Sequence, residues 1–133
     1  MAKILVIDDD VIVRKTIIRL LEDGGYKVLS AEDGLRGMAM FRSERPDLVI
    51  TDIIMPEQEG IQTITEMRKA KPDAKIIVIS GSGRIGNIDF LRIAQQLGAS
   101  DAIAKAFDSG ELLTIVKNCL AGRAGRSTPG QAA

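Results

Sequence analysis

An apolar run that ends in a single carboxylate decides the fold: LVITDIIMP, residues 48–56. Its first residues favour extended backbone and form the short continuous apolar stretch that is typical of a strand buried on both faces of a parallel sheet. Asp52 stands at the exit of this strand. Ligands of open α/β sheets bind outside the carboxyl ends of the strands. We therefore predict that Asp52 carries the chemistry, and that a turn through Met55 and Pro56 leaves its side chain exposed.

The composition indicates one globular domain with no dominant charge. The chain has 133 residues, 45% of them hydrophobic, which is enough for one core and too few for two. Lys plus Arg and Asp plus Glu both number 18, so no overall field favours nucleic acid or an anionic membrane, and we expect direct contact with neither. The first residues are too short an apolar stretch for a signal peptide, and no run reaches membrane length. We expect a cytoplasmic protein.

Two residue types limit the available chemistry. The chain contains no histidine, which excludes histidine general-base catalysis, histidine metal ligation and a phosphohistidine on this chain. The single cysteine, Cys119, excludes an internal disulfide. We expect Cys119 to be a small apolar residue of a helix.

Strand-like and helix-like segments alternate five times along the chain. Strands are predicted at residues 3–8, 27–31, 48–52, 75–79 and 101–104. Short turns between such alternating segments favour a parallel sheet with helices on both faces. The predicted class is therefore α/β, a flavodoxin-like doubly wound (βα)5 fold with a five-stranded parallel sheet in the order 2-1-3-4-5. The intervening helices are predicted from these residues: Val13, Ile17, Leu20 and Leu21, after an Asp10 N-cap and before Gly24-Gly25; Leu35, Met38, Ala39 and Phe41; Ile61, Ile64, Thr65 and Met67; Ile88, Leu91, Ile93, Ala94 and Leu97; and Leu112, Leu113, Val116 and Leu120, from Asp108 onward.

Polar residues follow four of the five predicted strands. They are Asp8 and Asp9, Asp52, Ser80, and Lys105. If strands one and three are neighbours, three carboxylates crowd together. Two unit charges about 4 Å apart repel by roughly 4 kcal/mol at an effective dielectric constant near 20, so this cluster needs a cation. Oxygen ligands without cysteine or histidine select a hard divalent ion, and a few carboxylates with retained waters suit Mg²⁺ better than Ca²⁺.

This pattern resembles the receiver domain of two-component response regulators, of the stand-alone chemotaxis-receiver type. The resemblance covers residues 3 to about 121. The features that match are the Asp pair after the first strand, the run from Asp52 to Pro56 with Gly60 eight residues past the aspartate, Ser80 after the fourth strand, and Lys105.

The resemblance implies a function and a role for each of these residues. Asp52 would attack a phosphoryl group presented by the histidine of a sensor histidine kinase or a histidine phosphotransfer protein. Phosphorylation would then signal through contact with a downstream protein. The domain would catalyse only its own phosphorylation and dephosphorylation, and in that sense it is not an enzyme. The implied Mg²⁺ ligands are Asp8, Asp9, Asp52 and the main-chain carbonyl of Ile54; Lys105 and Ser80 would contact the phosphoryl oxygens.

The sequence departs from the family pattern near its end. Receivers usually carry an aromatic residue three positions before the lysine, where this chain has Ala102, and a proline after the lysine, where it has Ala106. Small residues here suggest that switching works through ordering of the glycine-rich loop after Ser80. Ile54 offers no polar group to orient an attacking water, so we expect a long-lived phosphoryl group.

Two other functions compete for the same residues. Asp8-Asp9-Asp10 could be the Asp-x-Asp motif of a haloacid-dehalogenase-type phosphatase with Asp8 as the nucleophile, but Asp52 would then have no role. Gly81, Gly83 and Gly86 match a dinucleotide fingerprint between a strand and a helix, but the acidic Asp101 begins the next strand instead of ending it. Structural roles are the third alternative: helix capping for Asp8 and Asp9, a turn for Ser80, and a solvated surface position for Lys105.

The ends of the domain and its docking surface are also predicted. We assign residues 1–121 to the receiver domain and residues 122–133, which contain no apolar residue larger than alanine, to a disordered tail or a truncated linker. The first helix has more apolar residues than one core stripe needs. Val11 and Ile18 are candidates for an exposed patch that receives the kinase.

Overall fold

Alternating strands and helices form one five-stranded parallel sheet in the computed structural model, which describes residues 2–52, 59–80, 96, 98–104 and 109–122. The strand order is β2-β1-β3-β4-β5, as the sequence predicts. The elements are β1 (Lys3–Ile7), α1 (Val11–Asp23), β2 (Lys27–Ala31), α2 (Gly34–Glu44), β3 (Leu48–Asp52), α3 (Glu59–Ala70), β4 (Ile76–Ser80), β5 (Asp101–Ala104) and α4 (Ser109–Leu120). The helix predicted from Ile88 to Leu97 lies mostly outside the described residues.

The sheet separates two hydrophobic layers, because successive side chains of a strand point to opposite faces. Leu5, Ile7, Val49 and Val78 face the layer that contains α2 and α3, whereas Ile4, Val6, Ile50 and Ile77 face the layer of α1 and α4. All five residues of β3 are buried, as expected for the central strand of a sheet covered on both faces. Cys119 is a buried free thiol in α4, as predicted.

Helix α1 begins and ends where the sequence predicts. The Asp10 side chain caps it by accepting hydrogen bonds from the backbone N–H groups of Ile12 and Val13, at 2.9 and 3.2 Å. At its other end, Gly24 is the C-cap and Gly25 has a φ of +93°, a conformation that glycine adopts without steric cost.

The predicted core stripe of α2 is wrong in two of its four residues. Met38 and Phe41 are buried, but Leu35 is 82% exposed and Ala39 is also exposed. Glycine provides the remaining contact with the sheet: a Cβ added at Gly37 would lie 2.4 Å from Cδ1 of Ile7. The helix therefore approaches β1 too closely for a larger residue, and this rotates Leu35 and Ala39 toward solvent.

Candidate functional site

The ends of β1 and β3 bring Asp8 and Asp52 together. The two strands pair in parallel, and Ile7 lies opposite Thr51, so the next residues, Asp8 and Asp52, lie at the same edge of the sheet. The backbone N–H of Asp8 donates to the carbonyl oxygen of Ala31 on β2, at 3.2 Å, which extends the ladder one residue past β1. This hydrogen bond to β2 fixes the backbone position of Asp8.

Three carboxylates converge at this edge, as the sequence predicts. Asp8, Asp9 and Asp52 each offer an oxygen, and these oxygens all lie within 4.8 Å of one another. Asp8 is 0% exposed and Asp52 is 2% exposed, whereas Asp9 is exposed. Clustered carboxylates at such distances repel strongly when water is excluded, so a cation at their centre relieves the repulsion. The donor set is oxygen only and contains no histidine or cysteine, so it fits Mg²⁺.

The burial of Asp52 corrects one expectation. The turn through Met55 and Pro56 was predicted to leave its side chain exposed at the edge of the sheet, but the residue is 2% exposed. Asp52 nevertheless lies at the predicted edge of the sheet, since it is the last residue of β3 and lies opposite Ile79 of β4.

Two hydrogen bonds with residues that follow Asp8 in the chain hold it in position. Oδ1 of Asp8 accepts the N–H of Asp10 at 2.8 Å. Nη1 of Arg14 donates to the main-chain carbonyl oxygen of Asp8 at 2.7 Å. Sequence reasoning missed Arg14. The available signal was its place one helical turn after the Asp10 cap, from which a long side chain can reach back over the start of the helix.

Other predicted site residues lie partly or wholly outside the described part of the chain. The backbone of Ser80 ends β4, one residue past the pair Asp52–Ile79, and lies opposite Ala104 of β5. Ser80 is therefore the last residue of β4 instead of the residue after it, and its backbone lies at the same edge as the carboxylates. Ala102, in β5, pairs with Val78 of β4. Ile54, Lys105, Ala106 and the run from Gly81 to Gly86 lie outside the described residues.

The apolar patch at the start of α1 differs from the predicted one in one member. Val11 is 48% exposed, as expected, but Ile18 is only partly exposed. Ile12, which the sequence analysis did not select, is 74% exposed. The patch consists of Val11 and Ile12, directly after the acidic segment.

Comparison with known proteins identifies the family. Residues 4–117 match the family model of the response regulator receiver domain. The chain belongs to this family. The receiver is 34% identical over 122 residues to the response regulator MprA of Mycobacterium avium (strain 104), a match that covers 89% of the chain and 50% of that protein. It is 34% identical over 119 residues to the probable transcriptional regulator ycf27 of Cyanophora paradoxa, covering 89% and 48%. The receiver spans about half the length of the curated relatives it matches.

Solved structures show the same fold. A response regulator receiver domain protein from Clostridium thermocellum superposes with a TM-score of 0.83 at 31% identity, covering 92% of this chain and 96% of that chain. A CheY-like receiver domain protein from Methanospirillum hungatei has a TM-score of 0.82 at 27% identity, covering 92% and 95%.

Membership in this family settles the general function. The receiver is the response regulator module of a two-component system, and the dehalogenase-type and dinucleotide-binding alternatives have no support. Receiver domains generally use Mg²⁺, and the Asp8–Asp9–Asp52 cluster could hold it. Among the described residues, no helix is both long and apolar enough to cross a membrane. The cytoplasmic location stays a prediction.

Proposed function

We propose that the receiver accepts a phosphoryl group on Asp52 from a sensor histidine kinase or a histidine phosphotransfer protein, with Mg²⁺ held by Asp8, Asp9 and Asp52. One observation carries this proposal: carboxylates from two neighbouring strand ends meet within 4.8 Å, and one of them ends the central strand. Asp52 is the preferred acceptor because it ends the central strand at the edge where the carboxylates meet, and because the resemblance implies this position as the acceptor.

The proposed transfer requires little from the protein beyond positioning and charge neutralisation. A carboxylate oxygen of Asp52 forms the new bond to phosphorus while the bond from phosphorus to the donor's imidazole nitrogen breaks, and its electron pair returns to that nitrogen. Bound Mg²⁺ would neutralise the phosphoryl oxygens. The resemblance adds the carbonyl of Ile54 as a further ligand, and Lys105 and Ser80 as contacts to the phosphoryl group.

We also propose where the donor docks and what the phosphorylated form does. Val11 and Ile12 form an exposed apolar patch one residue from Asp10, which lies beside the acidic cluster. A partner helix seated there would bring its phosphohistidine close to Asp52. Signalling then occurs by contact with a downstream protein, and the receiver itself catalyses only its own phosphorylation and dephosphorylation. This chain contacts no nucleic acid directly, because its charges balance.

The domain boundary is proposed at residue 121. Helix α4 ends at Leu120, and Gly122 has a φ of +79°, which is typical of the residue just after a helix. We assign residues 122–133 to a tail or linker.

Phosphorylation by acetyl phosphate tests the proposal without a kinase. We expect the intact mass to rise by one phosphoryl group in Mg²⁺ and not in chelator, and peptide mapping to place the group on Asp52. Asp52→Asn should remove the adduct, whereas Asp23→Asn, at the exposed end of α1, should leave it unchanged. A stable adduct on Asp8 would contradict the assignment. Phosphotransfer profiling against the histidine kinases of the host then identifies the donor.

A further inference from the structure

A cavity of about 480 Å³ lies at the opposite end of the molecule from the carboxylates. It opens where α2 and α3 end, beside the starts of β3 and β4, whereas Asp52 stands at the far end of β3. A strand of this length places the two ends on the order of 13 Å apart along its axis. The cavity is lined by Phe41, Arg42, Arg45, Pro46, Ala70 and Lys71.

The lining combines an apolar floor with three exposed cations. Phe41 and Pro46 are buried and form the floor, while Arg42, Arg45 and Lys71 are exposed around it. Within the described part of the chain, none of these three cationic groups forms an ion pair or a side-chain hydrogen bond. The cavity therefore has a positive rim without an ion pair among the described residues, although Lys71 also lines a neighbouring cavity together with Asp47 and Asp73.

Neighbouring cations show how this end of the protein otherwise uses its positive charges. Nζ of Lys3 donates to the last carbonyl of α2, at Glu44, and Nζ of Lys75 donates to the last carbonyl of α4, at Leu120; the distances are 3.0 and 2.9 Å. Arg68 donates to the carbonyl oxygen of Pro72, at 2.9 Å. These three side chains satisfy carbonyl groups near helix ends. None of the three side chains at the cavity donates such a hydrogen bond, although the backbone N–H of Arg45 caps α2.

The backbone of Arg45 ends α2 and sets where its side chain begins. Arg45 has a φ of +48° and is the only non-glycine residue with a positive φ in the described part of the chain. A long side chain in the left-handed region costs free energy that glycine would avoid. The conformation is that of a left-handed helix C-cap, in which the backbone N–H of Arg45 donates to the carbonyl oxygen of Phe41 at 3.2 Å. Here the conformation places Arg45 on the cavity rim.

The shape of the surface favours an extended ligand over a compact one. A second cavity, of about 320 Å³, shares Arg42 with the first and continues along the junction of α2 and α3 past Ala39 and Gln62. Glu66 lines this second cavity. The first cavity is lined by three cations and the second also by an acidic residue, so an acidic group is best accommodated at the Arg45 end.

We propose that this basic cavity docks an acidic segment of a partner protein, with an apolar side chain on the Phe41 and Pro46 floor and carboxylates on Arg42, Arg45 and Lys71. Charge complementarity selects the acidic partner, and the continuous groove selects a peptide segment over an isolated anion. The site is independent of the phosphoryl chemistry, because it lies at the other end of the sheet. A peptide bound there does not contact Asp52.

Titration of the ¹⁵N-labelled full chain by NMR tests the proposal. The probe is a short acetylated peptide that carries one leucine followed by several glutamates. We expect saturable shifts at the amides of Arg42, Arg45 and Lys71, which weaken as salt is added. The double variant Arg42→Gln and Lys71→Gln should raise the dissociation constant roughly tenfold. Lys15→Gln, which neutralises an exposed cation of α1, should leave it unchanged.

The controls separate this site from weaker explanations. The same peptide with glutamines in place of glutamates should not bind, and Asp52→Asn should bind the acidic peptide as the wild type does. The proposal is overturned if no saturable shift occurs, if inorganic phosphate alone shifts the same amides as strongly as the peptide, or if Lys15→Gln weakens binding as much as the double variant. A stability change in the double variant without a change in binding would also overturn it, since that indicates a purely structural role.

Discussion

The guanidinium group of Arg14 donates a hydrogen bond to the main-chain carbonyl oxygen of Asp8 over 2.7 Å, and so ties the first turn of α1 to the strand end that carries two proposed metal ligands. Arg14→Gln should lower the free energy of unfolding by about 1 kcal/mol, since a partly buried hydrogen bond from a charged donor is lost. It should also weaken Mg²⁺ binding, because the backbone of Asp8 is held less firmly. Urea unfolding and calorimetric titration measure the two effects. Lys15→Gln, on the same helix, serves as the control, and equal Mg²⁺ affinity in all three proteins would contradict a positioning role.

Neutralising one carboxylate of the cluster should stabilise the metal-free protein. Asp8→Asn or Asp52→Asn removes the repulsion between buried like charges, and we expect the free energy of unfolding in chelator to rise by roughly 1 kcal/mol. Added Mg²⁺ stabilises the wild type by mass action, so the difference should narrow or reverse when Mg²⁺ is present. Thermal unfolding with and without Mg²⁺ measures this. If both variants melt at or below the wild-type temperature in chelator, the carboxylates do not repel as the geometry requires.

Gly37→Ala should destabilise the fold although alanine is the better helix former. The added Cβ would lie 2.4 and 2.8 Å from Cδ1 and Cγ1 of Ile7, which is fully buried. Overpacking of this kind costs about 1 to 3 kcal/mol, which exceeds the roughly 0.5 to 1 kcal/mol that replacing a helical glycine gains. Ile7→Val removes the closest atom, so the cost of Gly37→Ala should be smaller in that background. A double-mutant cycle by urea unfolding shows whether the two residues are coupled.

Ile54→Asn should shorten the lifetime of the phosphorylated protein. An asparagine two residues past Asp52 supplies a side chain that can hydrogen-bond an attacking water, which isoleucine cannot do. This prediction rests on the sequence, since Ile54 lies outside the described residues. Loss of the phosphoryl group after removal of acetyl phosphate can be followed by intact mass, with Ile54→Val as the apolar control. An unchanged rate in Ile54→Asn would show that this position does not control hydrolysis.

The sequence predicts the sheet and the acidic cluster because both follow from local patterns. Continuous apolar runs and the turns between them determine five parallel strands, and strand ends bring Asp8 and Asp52 to one edge. Other features depend on contacts that no local pattern encodes. Leu35 is exposed because Gly37 is the residue of α2 that approaches Ile7. The 2% exposure of Asp52 is likewise a result of tertiary packing.

Arg14 and the basic cavity illustrate the same limit. An arginine that reaches a carbonyl oxygen six residues earlier has no signature distinct from that of a surface arginine. Arg42, Arg45 and Lys71 come from the ends of two different helices, and only the fold brings them around one cavity.

The division of the core by the sheet has a consequence for how this protein can change over evolutionary time. Ile4 and Leu5 are adjacent in the chain but belong to different hydrophobic layers. Substitutions on opposite layers share few contacts, and their effects on stability should add. The patch of Val11 and Ile12 and the basic cavity belong to different layers. Substitutions that change the partner of one of these two surfaces should therefore leave the other surface intact during evolution.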